Sequence, residues 1–190
     1  GCTSLTSIVI PEGVTKISTK AFEGCTSLTS VVIPEGVTEI EESAFKDCTS
    51  LTSIEIPSSV TTLGGVVSWD SSTIPFYGCT SLTSIVVKEG NSVYDSREGC
   101  NAIIKTAINK LILGCNSTII PSSVTEIGDE AFRACPSLTS VVIPSSVTKI
   151  GGEAFRGCPS LTSVFIPSSV TSIGGNPFDA CPGITSIVVD

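Results

Sequence analysis

Apolar residues recur along this chain as one long phrase with a fixed beat. Leu5, Ile8 and Ile10, then Val14 and Ile17, then Ala21 and Phe22 form a set that returns 23 residues later as Leu28, Val31, Ile33, Val37, Ile40, Ala44 and Phe45. The phrase running from Cys2 to Pro11 reappears from Cys25, Cys48, Cys135 and Cys158 almost unchanged. A period of this length predicts one supersecondary unit per repeat, stacked on its neighbours. Within the unit, Leu-x-x-Ile-x-Ile ends on the strand period of two, so Leu5, Ile8 and Ile10 are expected to face inward and Thr6 and Val9 outward. Pro11 offers no N–H and ends the strand. A Glu-Gly or Ser-Ser turn follows, then a second short extended segment, Val14-Thr15-Lys16-Ile17. The third side carries Ala-Phe and reads as a short helical turn, with Phe22, Phe45, Phe76, Phe132, Phe155 and Phe178 as a spine. Such a coil orders too much backbone for the apolar surface it buries alone, so stacking must supply the rest.

The beat breaks twice. Cys48 to Cys79 spans 31 residues, and the excess falls in a loop over about 64–73 holding Trp69, the only tryptophan, and Asp70. Solenoid insertions map to loops that often bind; the other reading has Trp69 folding back over the coil edge. Cys79 to Cys135 spans 56 residues, and the extra length fits a hairpin over about 102–114, Ala102-Ile103-Ile104-Lys105-Thr106 returning as Leu111-Ile112-Leu113-Gly114. Here the third side and its Phe look replaced. We read residues 1–190 as one domain of about eight coils.

The phrase Cys-x-Ser-Leu-Thr-Ser-(Ile/Val)-x-Ile-Pro-x-x-Val-Thr-x-Ile-(Gly)-x-x-Ala-Phe resembles the BspA-type leucine-rich repeat of surface proteins from host-associated anaerobic bacteria and some parasitic protists. The resemblance covers nearly the whole chain. It implies a right-handed curved leucine-rich-repeat solenoid, mainly β with short helical or 3-10 turns, parallel stacked strands and one inserted hairpin. It also implies secretion or surface display and a role in adhesion, coaggregation or receptor engagement, with no catalytic or cofactor residues.

Composition narrows the chemistry. Mean hydropathy is positive, at +0.43, but Ser, Thr and Pro interrupt every apolar run well short of the roughly 18 residues that span a bilayer; direct membrane insertion of this chain is not expected. Methionine is absent and the chain opens at Gly1-Cys2-Thr3 inside a repeat, so the sequence reads as a piece of a longer protein. A net charge of −8 without a Lys/Arg cluster argues against nucleic acid and anionic membranes. With no histidine, His-based triads, the usual near-neutral acid/base and the commonest metal ligand are all missing.

Seven of the nine cysteines, Cys2, Cys25, Cys48, Cys79, Cys135, Cys158 and Cys181, share one repeat position. Stacked about 5 Å apart with parallel Cα–Cβ vectors, they suit neither a disulfide, which needs convergent vectors, nor zinc, which needs four ligands around a point. A ladder of buried free thiols is expected. Cys100 and Cys115 bracket the hairpin and leave two readings open, a cross-strand disulfide or two more buried thiols. Glu39, Glu41 and Glu42 lack calcium-loop spacing and read as a solvated face. Asn116-Ser117-Thr118 is a glycosylation sequon.

The outward position of the first side reads Val9, Val32, Glu55, Val86, Ile119, Val142, Phe165 and Val188, beside Thr6, Thr29, Thr52, Thr83, Thr139, Thr162 and Thr185. An exposed apolar rail marks an interface, or else simple β-propensity copied by duplication. The sequence expectation is therefore a non-enzymatic interaction module. The rail, with Trp69 and Asp70, would meet a protein or glycan on host or neighbouring cells. The alternatives are a spacer, or self-association through ends that lack polar caps.

Overall fold

The computed structural model describes residues 1–64 and 74–190. It is a mainly β solenoid of about eight turns, with parallel stacked strands and, among the described residues, no α-helix. It divides into two compact units, Gly1–Tyr94 and Asp95–Asp190.

In the first unit, the first side of each coil supplies a short strand that pairs in parallel with its copy one coil on. Ser7–Val9 lies in register with Ser30–Val32, and Ser53–Ile56 with Ser84–Val87, so that each residue faces its equivalent. The second side does the same with Lys16–Ile17, Glu39–Ile40 and Thr62–Leu63. In-register stacking follows from the repeat: a slip by one residue would turn Leu51, Ile54 and Ile56, all buried, towards solvent. The second-side ladder ends on side chains. Tyr94 accepts the Leu63 N–H on its hydroxyl at 3.3 Å, and Asn91 donates to the carbonyls of Pro57 and Val60.

The second unit repeats this plan. Val141–Val142, Ser163–Ile166 and Ser186–Val189 form the parallel first side; Glu126–Ile127, Lys149–Ile150 and Ser172–Ile173 form the second. The extra length before them is an antiparallel pair, Ile103–Lys105 against Lys110–Leu113, whose second strand continues in parallel onto Glu126–Ile127. Ile103, Ile104, Leu111 and Ile112 are all buried, so the pair is built into the interior and exposes Ile108 at its 3-10 turn. Adjacent apolar residues are what a strand covered on both faces requires.

The third side carries the phenylalanine spine. Phe22, Phe45 and Phe76 stack at 5.1 and 5.4 Å between centroids, and Phe132, Phe155 and Phe178 at 4.9 and 5.4 Å. The backbone beneath them is tighter than a helical turn. Four-residue turns close as Ala21, Glu23 and Cys25 donate to Ser18, Lys20 and Phe22, while the alternate N–H groups of Lys20, Phe22 and Gly24 reach the next coil's Glu42, Ala44 and Lys46 carbonyls. A helix would spend every donor within itself. The alternation is made by left-handed residues on either side of the Phe, Lys20 and Gly24 in this coil, Glu130 and Ala134 in a later one. A non-glycine residue there costs about 1–2 kcal/mol, set against the inter-coil bonds gained. Gly114 closes this column in the second unit: its N–H donates to Ala131 at 2.7 Å, and a Cβ there would collide with the Phe132 ring.

Candidate functional site

Most of the repeat-position cysteines lie in the interior. Cys25, Cys48, Cys79, Cys135 and Cys158 are buried free thiols, Cys181 is half-buried and Cys2 exposed. The Sγ of Cys48, Cys79, Cys158 and Cys181 donates to the carbonyl of Phe22, Phe45, Phe132 and Phe155 respectively, at 3.0–3.3 Å. Each thiol thus ties its coil to the preceding Phe turn. Burial, the main cause, raises the Cys48 and Cys158 thiols to about 11 and pushes Cys79 and Cys135 up further. At neutral pH these sulfurs stay protonated and non-nucleophilic. Cys100 and Cys115 are also buried and free, turned to the carbonyls of Ala102 and Asn101. Burial raises Cys100 to about 11.

The threonine ladders are spent as well. Thr29, Thr52 and Thr83 donate their hydroxyls to the carbonyl of the corresponding threonine one coil back, and Thr162 and Thr185 do the same. A second ladder on Thr38, Thr61, Thr148 and Thr171 repeats this on the second side. The rail's threonine flank is therefore internal hydrogen bonding, which the sequence did not reveal because the acceptor lies in a neighbouring coil.

Charges on the second and third sides pair among themselves. Lys16 meets Glu39 and Glu41; Lys110 and Lys149 converge on Glu126 at 2.7 and 3.0 Å. Arg133, Glu153, Arg156 and Asp179 alternate along the stack with contacts of 2.8–3.0 Å. At the hairpin, Asp95 grips Arg97 through two oxygens and accepts from Thr106, while Arg97 also reaches Asn109 and Ser123. Burial opposes the Asp95 carboxylate, but the donors from Arg97 and Thr106 outweigh it and hold its pKa below the usual aspartate value. The sequon's residues are engaged too: Asn116 accepts from the Ser137 N–H, and buried Thr118 donates to Asn101.

What is left unspent is the outward face of the first side. In the first unit Val9, Val32 and Val86 are exposed and Glu55 interrupts them, its carboxylate 3.1 Å from Lys88. In the second unit Ile119 is 74% exposed, Val142 80%, Phe165 47% and Val188 52%. Leu138, Val141, Ile143, Leu161, Val164 and Ile166, the inward partners in the coils of Val142 and Phe165, are all buried, whereas in the last coil Ile187 and Val189 are exposed beside Val188. Two residues before each apolar outward residue stands a serine that the sequence reading passed over, although Ser-x-Val is visible in the phrase. Among the described residues none hydrogen-bonds the side chains of Ser140, Ser163 or Ser186. Trp69 and Asp70 lie outside the described residues. An apolar cavity of about 310 Å³ is lined by inward residues of the first coil, including Ile8, Ile10, Val14 and Phe22; its one charged group, Lys16, is the cation already paired. No group of three or more metal-ligating side chains occurs among the described residues.

Over residues 1–108 and 101–190 the sequence matches the BspA type leucine rich repeat region, in 6 copies. The chain belongs to the BspA-type leucine-rich-repeat family. Among solved structures, a leucine-rich cell surface protein of Faecalibacterium prausnitzii is 32% identical with a TM-score of 0.72, the match covering 98% of this chain and 54% of that one. A leucine-rich repeat protein of Bacteroides ovatus is 29% identical, TM-score 0.56, covering 98% and 49%. The pneumococcal vaccine antigen PcpA, at 22% identity, TM-score 0.70 and coverage of 97% and 51%, shares the fold. This BspA-type chain thus spans about half the length of each. No curated protein sequence matches it. No helix among its described residues is long and apolar enough to cross a membrane.

Proposed function

We propose that this BspA-type chain is a non-enzymatic interaction module, secreted or displayed at a cell surface, that binds a protein or glycan of a host or neighbouring cell through the outward columns of its first side. One observation carries the reading: the cysteine and threonine ladders and the ion pairs described above are engaged within the fold, whereas the outward column of this face stays exposed in each unit and is apolar save for Glu55. Exposed contiguous apolar surface of this kind marks interaction sites. Two further observations support it. Burial raises the Cys48 and Cys158 thiols to about 11 and so holds them protonated, and the cell-surface description of the 32% identical relative fits display outside the cell.

The test is adsorption of labelled protein to intact epithelial and bacterial cells, read by flow cytometry. Phe165→Glu should reduce saturable binding about tenfold or more, the scale of losing one buried aromatic anchor at an interface, while the circular dichroism stays unchanged. Equal binding by the folded variant would remove this face from consideration.

A further inference from the structure

Resting on the proposal that the first side binds, the second unit's share of that face can be assigned a class of ligand from its charge, its size and its free groups.

Charge comes first. The second unit carries eight acidic against six basic side chains, and the outward positions of its first side, Ser140, Val142, Ser163, Phe165, Ser186 and Val188, contain no ionisable side chain. A face without ionisable groups offers no ion-pair partner to a polycation or to a polyanion. The charge-matched partner is neutral.

Size comes second. Neighbouring strands lie about 4.8 Å apart and residues rise about 3.3 Å along each. One strand of two residues, Val141–Val142, and two of four, Ser163–Ile166 and Ser186–Val189, therefore present on the order of 150 Å², against roughly 800 Å² per partner in a stable protein interface. Neither a second copy nor a folded partner of ordinary footprint is satisfied by this patch alone. A ligand of a few rings is.

The free groups come third. The serine column and the apolar column run side by side, two residues apart along each strand, and repeat at every coil. Among the described residues none bonds the three serine side chains, whereas the hydroxyls of the adjacent Thr162 and Thr185 are committed to backbone carbonyls. One edge of the patch thus offers unspent donors and acceptors. The other offers Phe165 between Val142 and Val188, with the negative face of its ring available to weakly positive C–H groups. A linear saccharide has this division: C–H faces on its rings, hydroxyls along its rim, and no charge.

We propose that the second unit binds a short neutral oligosaccharide laid along the stack, its ring faces on Val142, Phe165 and Val188 and its hydroxyls on Ser140, Ser163 and Ser186.

Saturation-transfer NMR on the whole chain tests this, with cellotetraose, chitotetraose and maltotetraose as probes. At least one should receive saturation, and its affinity should fall about five- to tenfold in Phe165→Ala, the scale of one aromatic contact, and also in Ser163→Val, which keeps strand propensity and removes the hydroxyl. Ser172→Ala, on the exposed second side of the same unit, should leave it unchanged. Transfer to none of the three, or equal affinity in folded Phe165→Ala and Ser163→Val, overturns the assignment. The two failures separate cleanly. Phe165-dependent binding to cells without any saccharide binding sinks the ligand class alone, and loss of neither on mutation sinks the interaction face itself.

Discussion

At the scale of single residues, the repeat gives the hydroxyls of Thr29 and Thr162 and the thiols of Cys48 and Cys158 a partner one coil away. Cysteine suits its position because it is small and apolar enough to bury and still carries a weak donor, which it aims at the carbonyl of a Phe in the preceding coil; those of Phe22 and Phe45 also accept a backbone N–H. This predicts a graded thiol count. With a disulfide-forming reagent at pH 8, exposed Cys2 should react at once, half-buried Cys181 slowly, and the other seven of the nine only on unfolding. Seven fast thiols would refute the buried ladder. The raised thiol pKa values also set an alkaline limit. Below about pH 8.5 the sulfurs are protonated in folded and unfolded chains alike; above it the unfolded chain ionises first, so stability should fall as pH rises through about 11, where Cys48, Cys100 and Cys158 titrate.

At the scale of elements, stacking of the third sides holds neighbouring coils together. Phe155 is buried between Phe132 and Phe178, and Phe155→Ala should cost about 3–5 kcal/mol, visible as a fall of 10 °C or more in the thermal midpoint; a fall of only a few degrees would show the spine to be incidental. The alternation of first-side residues was legible from Leu5, Ile8 and Ile10, since burial in a strand follows a period of two whatever lies opposite. The third side was less so. Lys20 and Glu130 give no sign in their chemistry that they adopt positive φ; their N–H groups turn to carbonyls of the next coil, which local sequence does not contain. The hairpin was visible as excess length, and its burial could have been read from the adjacent Ile103 and Ile104. The purpose of Thr29 and Thr162 could not, because a hydroxyl's acceptor 23 residues away is a matter of register.

At the scale of the whole molecule, each unit partitions its surface. Second and third sides carry ion pairs that neutralise one another, interiors carry the thiols and rings, and the first side keeps an apolar column exposed. Everything functional here depends on that column being spare, needed by a partner and not by the fold. The direct test is the thermal midpoint of a Val142→Thr/Phe165→Thr variant beside Val164→Thr. The outward pair retains strand propensity and should melt within a few degrees of the parent chain. The inward change buries a hydroxyl at about 1–3 kcal/mol and should melt clearly lower. If the outward pair fell as far as Val164→Thr, the exposed column would be holding the fold together, and the claim that it is a binding face would fail.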